Sequence, residues 1–225
     1  MNIPVVRKLL QRNDRAAAQN RERFDRQGTV CINILGGAGS GKTSLLEVLL
    51  PRLSELRVAV LEGDLATTRD AERIAALGVP VAQLLTDGGC HLTAPHVQHA
   101  LDELPHLDYD LLLIENVGNP ICPANFDLGE HARIAVLSVT EGDDKPSKYP
   151  LLFRDAKLIV LTKCDLLVMV DFDTDQARAD LHRLNPGADI LETSARDRDG
   201  IDAVVSWIMR LVRGGRRSPL ASAHA

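Results

Sequence analysis

The chain has 225 residues, 45% of them hydrophobic and 25% charged, with a formal net charge of −5. That length and balance predict one main globular domain able to bury its core without staples, and the acidic balance argues against nucleic acid as a partner. No apolar run approaches the roughly 18 residues of a membrane span, and neither a secretory signal nor a lipidation motif occurs, so the expectation is a cytoplasmic protein with no membrane partner. In chain order, residues 1–27 carry Arg7, Arg12, Arg15, Arg21, Arg23 and Arg26 interrupted by Asp14, Glu22 and Asp25. This is the pattern of an amphipathic docking helix rather than of a transit peptide. Strand-like apolar runs follow at 30–35, 57–61, 79–85, 109–114, 134–139, 158–161 and 188–191, alternating with helical patterns at 42–53, 68–77, 94–104, 148–154, 173–184 and 200–212. Such alternation predicts an α/β fold. Strands hydrophobic along their whole length are buried on both faces, so the sheet is expected to be doubly wound and mostly parallel, with ligands beyond the carboxyl ends of its strands. The main domain is placed at 28–212 and a disordered tail at 213–225.

Directly after the first run comes Gly36-Gly37-Ala38-Gly39-Ser40-Gly41-Lys42-Thr43-Ser44, which fits the phosphate-loop pattern G-x-x-x-x-G-K-[ST] and identifies a P-loop NTPase fold. Glycines let several backbone N–H groups curl toward phosphate oxygens, the following helix presents its N-terminus, Lys42 adds a cation, and Thr43 offers a hydroxyl to Mg²⁺. After the second run lie Glu62-Gly63-Asp64 and, a little later, Asp70. After the fourth lies Glu115-Asn116-Val117-Gly118-Asn119. Mg²⁺ on a triphosphate needs only one or two protein carboxylates beside the loop threonine, so Asp64 and Glu115, with Asp70 behind them, are the candidates; one of them could instead orient water or simply cap a helix. Gly118 is read as a hinge. Further on, Thr162-Lys163-Cys164-Asp165 resembles the Asn-Lys-x-Asp base-recognition motif with its first residue replaced. A carboxylate accepts two hydrogen bonds from guanine and finds no such pair on adenine, so Asp165 argues for GTP. Lys163 is expected along the base and Ser194-Ala195 as a clamp on its oxygen. Thr162 is expected to break the tie between this loop and the phosphate loop.

Cys90-His91 and Cys122 form a third group. Thiolate and imidazole suit Ni²⁺ or Zn²⁺, and the glycines before Cys90 permit the irregular backbone that convergence needs. From the residues alone the three are either a site open for metal transfer, a site completed by a second chain, or unrelated side chains. Cys31, inside a strand run, reads as packing, and Cys164 as incidental. His96 and His99 share a helix face and are weak ligand candidates.

The segments Gly88-Gly89-Cys90-His91-Leu92, ENVGNPICPANFDLGE at 115–130 and EGDDKPSKYP at 141–150 resemble those of the HypB family of hydrogenase nickel-incorporation GTPases, and the likeness covers residues 28–212. The resemblance implies a homodimer with nucleotide at its interface that hydrolyses GTP slowly with Mg²⁺. It also implies a role in loading nickel into [NiFe]-hydrogenase alongside a partner nickel metallochaperone and the hydrogenase large-subunit precursor. Carried over by position, Cys90, His91 and Cys122 match that family's interfacial ligands for Ni²⁺ or Zn²⁺, and Lys148 matches a lysine that reaches the partner subunit's nucleotide. Two departures stand out: residues 1–28 hold neither cysteine nor histidine, so nickel storage is not expected, and Thr162 replaces the usual asparagine. A urease-type nickel GTPase would be expected to place Cys-Pro-His together, whereas Ala124 follows Cys122-Pro123. An ATP-dependent metabolite kinase and a nucleotide-gated scaffold are the remaining alternatives.

Overall fold

The computed structural model describes residues 5–64, 68–85, 89–104 and 108–215. Seven strands form one sheet in the order β3-β2-β4-β1-β5-β6-β7, with every neighbouring pair parallel. They are β1 (Val30–Gly36), β2 (Val58–Asp64), β3 (Val81–Leu85), β4 (Leu111–Glu115), β5 (Ala132–Ser138), β6 (Leu158–Thr162) and β7 (Asp189–Glu192). All seven apolar runs are therefore strands. Every carboxyl end lies on one edge, and the chain turns left from β1 to β2 and later returns to its right at β5, so β1 opens the crevice at that edge.

Side-chain alternation sends successive residues to opposite faces. Val30, Ile32, Ile34, Val58, Val60, Leu111 and Leu113 meet α2 (Lys42–Leu49), α3 (Arg69–Ala75) and α8 (Ile201–Gly215) on one face. On the other face Cys31, Ala59, Leu61, Leu112 and Ile114 meet α1 (Val5–Gln27) and α4 (Ala94–Glu103). Leu35, Ala135, Leu137 and Ile159 meet α6 (Pro150–Arg154) and α7 (Thr174–Leu184) on that same face. Each fully buried aliphatic side chain contributes about 1.5–3 kcal/mol. Cys31 is wholly buried in this layer, as packing requires.

Strand and helix ends shift by up to three residues from the sequence expectation, and three helical segments differ in ways the chain explains. The helix expected at 42–53 tightens into a 3₁₀ turn over Leu50–Leu53, where Pro51 supplies no N–H. The helix expected at 148–154 is two short helices, α5 (Lys145–Lys148) and α6, separated at Tyr149 (φ −125°, ψ 56°); a residue before proline is pushed out of helical geometry. Finally, α8 continues to Gly215, and the rest of the expected tail lies outside the described residues. Among those residues no helix is long and apolar enough to cross a membrane.

The N-terminal helix is not a free docking element over its described side chains. Asn13, Ala16, Ala17, Asn20 and Phe24 form one stripe at helical spacing and are all buried within the chain's own fold. Phe24 packs among Cys31, Leu101 and Leu128, so the face that periodicity marks for a partner is already occupied. Phe24→Ala should lower the unfolding free energy by about 3–5 kcal/mol, the cost of truncating a buried aromatic. Urea denaturation would reveal this, whereas a helix that served only an external partner would change stability by no more than about 0.5 kcal/mol.

Candidate functional site

At the end of β1 the chain makes the phosphate-loop turn. Gly39 (φ +73°) and Gly41 (φ +93°) hold left-handed backbone, which side chains with a Cβ resist, and Gly41 is the N-cap from which α2 begins. Lys42 curls back so that Nζ donates to the carbonyls of Gly37 (3.1 Å) and Gly36 (3.4 Å). The loop opens on a cavity of about 400 Å³ lined also by Glu62, Asp70, Glu115 and Lys163. Gly118 touches the same loop: a Cβ there would stand 2.9 Å from Ala38 Cα, so close approach, rather than hinge freedom, is what requires glycine at this position.

Two carboxylates lie beneath the loop. Glu62 of β2 and Glu115 of β4 are directly opposite in the parallel register, 2% and 3% exposed. Thr43 Oγ1 donates to Glu115 Oε1 at 2.8 Å. Among the described residues, Glu62 Oε2 and Glu115 Oε2 are buried without a hydrogen-bond partner. Burial, reinforced by the charge of Glu115, pushes the Glu62 carboxyl well up; burial also raises Glu115, opposed by Lys42 and Thr43. Two buried carboxyl groups with orphaned oxygens beside a threonine hydroxyl have the chemistry to serve as donors to a hard divalent cation. The residue expected from β2 was Asp64. The strand runs to that position, but its side chain lies outside the described residues, and Glu62 is the carboxylate seen in the cavity. Asp70 lies in the first turn of α3 and pairs with Arg73 at 2.8 Å, while Arg73 also reaches Glu47 and, at 3.4 Å, Ser44 Oγ.

Asn116, the residue after Glu115, turns to the opposite face. Its Oδ1 accepts from the N–H groups of Leu92 (3.3 Å) and Val117 (2.9 Å), and its Nδ2 donates to Asn33 Oδ1 (3.3 Å). Asn33 in turn donates to Glu130 at 3.4 Å. Glu130 pairs with Arg133, whose guanidinium donates to the carbonyls of Ala124 and Phe126, both at 3.0 Å. A buried polar chain thus runs from the carboxylate under the phosphate loop to the segments that carry Cys90, His91 and Cys122.

Those three candidate ligands converge. One atom from each of Cys90, His91 and Cys122 lies within 4.8 Å of the others, and Cys90 Sγ is 3.5 Å from His91 Nδ1. Bond lengths near 2.0–2.3 Å to a central ion fit that spacing. Asn119 ties the two loop segments of the site together, donating to Cys90 O (3.4 Å) and accepting from the N–H groups of Ile121 (2.9 Å) and Cys122 (3.4 Å). The His91 ring stacks on Phe126 with centroids 3.9 Å apart. Burial, helped by His96, holds His91 below its ordinary pKa, which favours the neutral imidazole a metal needs. Hydrogen bonding with Cys122, followed by burial, raises the Cys90 thiol. His96 is used elsewhere, accepting from Thr93 N–H at the start of α4.

On the far side of the loop, Asp165 Oδ1 accepts from Ser194 Oγ at 2.8 Å, so the expected base motif and the Ser194-Ala195 turn are brought together. Lys163 sits in left-handed backbone (φ +59°) with Nζ 2.7 Å from Gly39 O. Lys148 lies at the end of α5, ion-paired with Asp144; with Lys145 first and Lys148 second as donors, the Asp144 carboxyl falls to about 2.

Residues 30–192 match the family described as "CobW/HypB/UreG, nucleotide-binding domain". The hydrogenase maturation factor HypB of Azotobacter vinelandii is 48% identical over 209 residues, spanning 92% of this chain and 69% of that protein. The HypB of Escherichia coli K12 is 45% identical over 201 residues, 89% of this chain and 69% of that one. The chain belongs to the HypB family. Among solved structures, HypB from Helicobacter pylori in complex with nickel superposes with a TM-score of 0.86 at 35% identity, covering 95% of this chain and 99% of that one. HypB from Archaeoglobus fulgidus does so with a TM-score of 0.85 at 40% identity, covering 90% and 100%.

In this HypB-family chain the substitution of threonine for the usual asparagine at 162 does not untie the two loops. Thr162 Oγ1 donates to Ser40 O at 2.6 Å, so a hydroxyl makes the link that the sequence alone suggested was lost. Glu62, Asn116, Asn119 and Phe126 were not singled out beforehand. A charged residue inside an apolar strand was the one available signal for Glu62; the other three matter through partners remote in sequence. Thr162→Val should leave the Ser40 carbonyl without its buried partner, costing about 1–3 kcal/mol of stability and weakening nucleotide binding. Thermal melts with nucleotide calorimetry check this, and unchanged values would mean the tie is dispensable.

Proposed function

We propose that this chain is a GTP-hydrolysing metallochaperone that delivers nickel to a [NiFe]-hydrogenase during maturation. The observation that carries the reading is the convergence of Cys90, His91 and Cys122 on the loop that begins at Glu115, beside the nucleotide cavity. Three protein ligands leave a coordination position open, which suits a cargo ion that must be received and handed on. Ni²⁺ is the proposed cargo and Zn²⁺ the competing occupant. The names of the Azotobacter and Helicobacter proteins support the assignment.

In this reading Gly36, Gly37, Ala38, Gly39, Ser40, Gly41 and Ser44 cradle the phosphates with Lys42. Asp165, with Lys163, Ser194 and Ala195, selects guanine. Mg²⁺ would be held by Thr43 and Glu115, with Glu62 and Asp70 lining the same cavity and Asp64 kept as a further candidate from the sequence, and when bound it would supply neutralisation of phosphate charge. Lys148, 59% exposed on its side chain, is assigned to the nucleotide of a second subunit, a cation supplied in trans. Homodimerisation is further supported by Ile121, Val168 and Met169, apolar residues 55%, 92% and 74% exposed near the metal and base loops. The proposed partners are a nickel metallochaperone and the hydrogenase large-subunit precursor.

Glu115 and Asn116 are adjacent and face opposite sides, so a change in what Glu115 holds bears on Leu92 and on the metal loops through Asn116. Coupling of this kind is reciprocal: nucleotide state alters metal affinity, and metal alters nucleotide affinity by the same factor.

Nickel calorimetry on wild type and Cys122→Ala, loaded with GDP or a non-hydrolysable GTP analogue and with oligomeric state recorded, tests the whole reading. Binding is expected to need Cys122 and to differ between the two nucleotides; equal binding by wild type and Cys122→Ala would overturn the metal assignment. Lys42→Ala should reduce phosphate release from GTP by at least about tenfold, as loss of a charge-stabilising group does, without disturbing nickel binding in the nucleotide-free protein. Competition by excess ATP would refute the guanine assignment.

A further inference from the structure

The buried stripe of α1 contains two amides where an ordinary helix–sheet contact would place aliphatic side chains. Asn13 and Asn20 are 4% and 1% exposed, and both turn toward the same distant residue. Asn13 Oδ1 accepts from Ala94 N–H at 2.9 Å, and its Nδ2 donates to Asp127 O at 2.8 Å. Asn20 Nδ2 donates to Ala94 O at 3.0 Å and to Leu128 O at 2.9 Å. Four hydrogen bonds therefore join Ala94, three residues after His91, to Asp127 and Leu128, which follow Phe126 and the Cys122 loop.

The helix is also seated too closely to slide. Gly129 adopts φ +91°, and a Cβ there would stand 2.6 Å from both Ala17 O and Asn20 Cβ; Arg21 Nε closes the contact by donating to Gly129 O at 2.8 Å. Ala16, Ala17 and Ala94 pack together between the two amides. Hydrophobic contact alone would hold the loops near α1 without setting their register, because it is non-directional. Amide-to-backbone hydrogen bonds do set it, since a buried peptide group that loses its partner costs about 1–3 kcal/mol.

We infer that Asn13 and Asn20 are positioning residues for the metal site, and that α1 is a splint holding the Cys90-His91 loop in register with the Cys122 loop. The inference rests on the metal reading of those three ligands. It assigns the N-terminal helix a task inside its own chain: Asn119 links the ligand loops directly from one side, and α1 links them from the other. Outer-sphere groups that orient ligands commonly change metal affinity by about 10–100-fold when removed.

The test uses the full chain and nickel alone as the probe. Asn13→Ala and Asn20→Ala are titrated by calorimetry and followed by the thiolate-to-nickel charge-transfer absorption, with GDP affinity as the check on the phosphate-loop half. Phe24→Ala is the control, because it loosens the same helix while leaving all four asparagine hydrogen bonds in place. The splint predicts nickel affinity at least about tenfold weaker in both asparagine variants with an altered charge-transfer band. GDP affinity should stay within about twofold, and Phe24→Ala should bind nickel like wild type below its melting range. Wild-type nickel binding in the asparagine variants, or an equal loss in Phe24→Ala, overturns the splint. If Asn20→Ala does not fold, Asn13→Ala alone carries the test, since it removes only the bonds to Ala94 N–H and Asp127 O; unchanged nickel affinity in that variant overturns the inference as well. A wild-type protein whose nickel binding ignores Cys122→Ala would instead overturn the metal reading itself, so the two failures are distinguishable.

Discussion

Glu62 and Glu115 lie side by side in neighbouring parallel strands, almost fully buried, and the rest of the molecule is arranged around that constraint. Two carboxylates cannot share a dry site as anions without a compensating charge, and here the compensation comes from above. Lys42 and the Thr43 hydroxyl meet them from the start of α2, which is placed there by the left-handed turn at Gly41. The sheet must be parallel for this to work, because only then do β1, β2 and β4 all deliver their carboxyl ends to one edge. Covering helices on both faces then follow from the need to bury the strands between them.

The same strand end explains why the phosphate-loop cavity and the candidate metal ligands are neighbours. Alternation along an extended chain sends Glu115 toward α2 and Asn116 toward α4 and the loops beyond it. One peptide unit therefore separates a group under the phosphate loop from a group that holds the Leu92 N–H. The polar chain through Asn33, Glu130 and Arg133 continues to the carbonyls of Ala124 and Phe126. Buried networks of this type are stiff when every member is satisfied and costly when one is not, which is the physical basis of the coupling proposed between the two sites. The N-terminal helix then packs on the assembly from outside, with Asn13 and Asn20 buried against it.

Much of this was legible in the chain. Seven apolar runs became seven strands because each is long enough to be covered on both faces and is bounded by turn formers. The phosphate loop was legible because its glycines, lysine and threonine do their work locally. Cys90, His91 and Cys122 were legible as residue types without a meeting point, since Cys122 lies 32 positions from Cys90 and 31 from His91 and converges with them only if the intervening fold brings them together. Thr162 was read as a broken tie because asparagine is the usual residue there, and the hydroxyl's short reach to Ser40 depends on how closely β6 lies beside the loop.

The sequence by itself determined the α/β class, the phosphate loop and the base motif, because hydrophobic period, glycine placement and the order of charged residues act over a few positions. The tertiary structure alone decided that Glu62 enters the cavity, how Asn116 links to Leu92, and that α1 spans Ala94 and Asp127. Each of these joins residues by hydrogen bonds and burial across strand neighbours or packed layers, and such contacts leave no period in the chain because their partners are set by sheet register and helix seating rather than by sequence spacing.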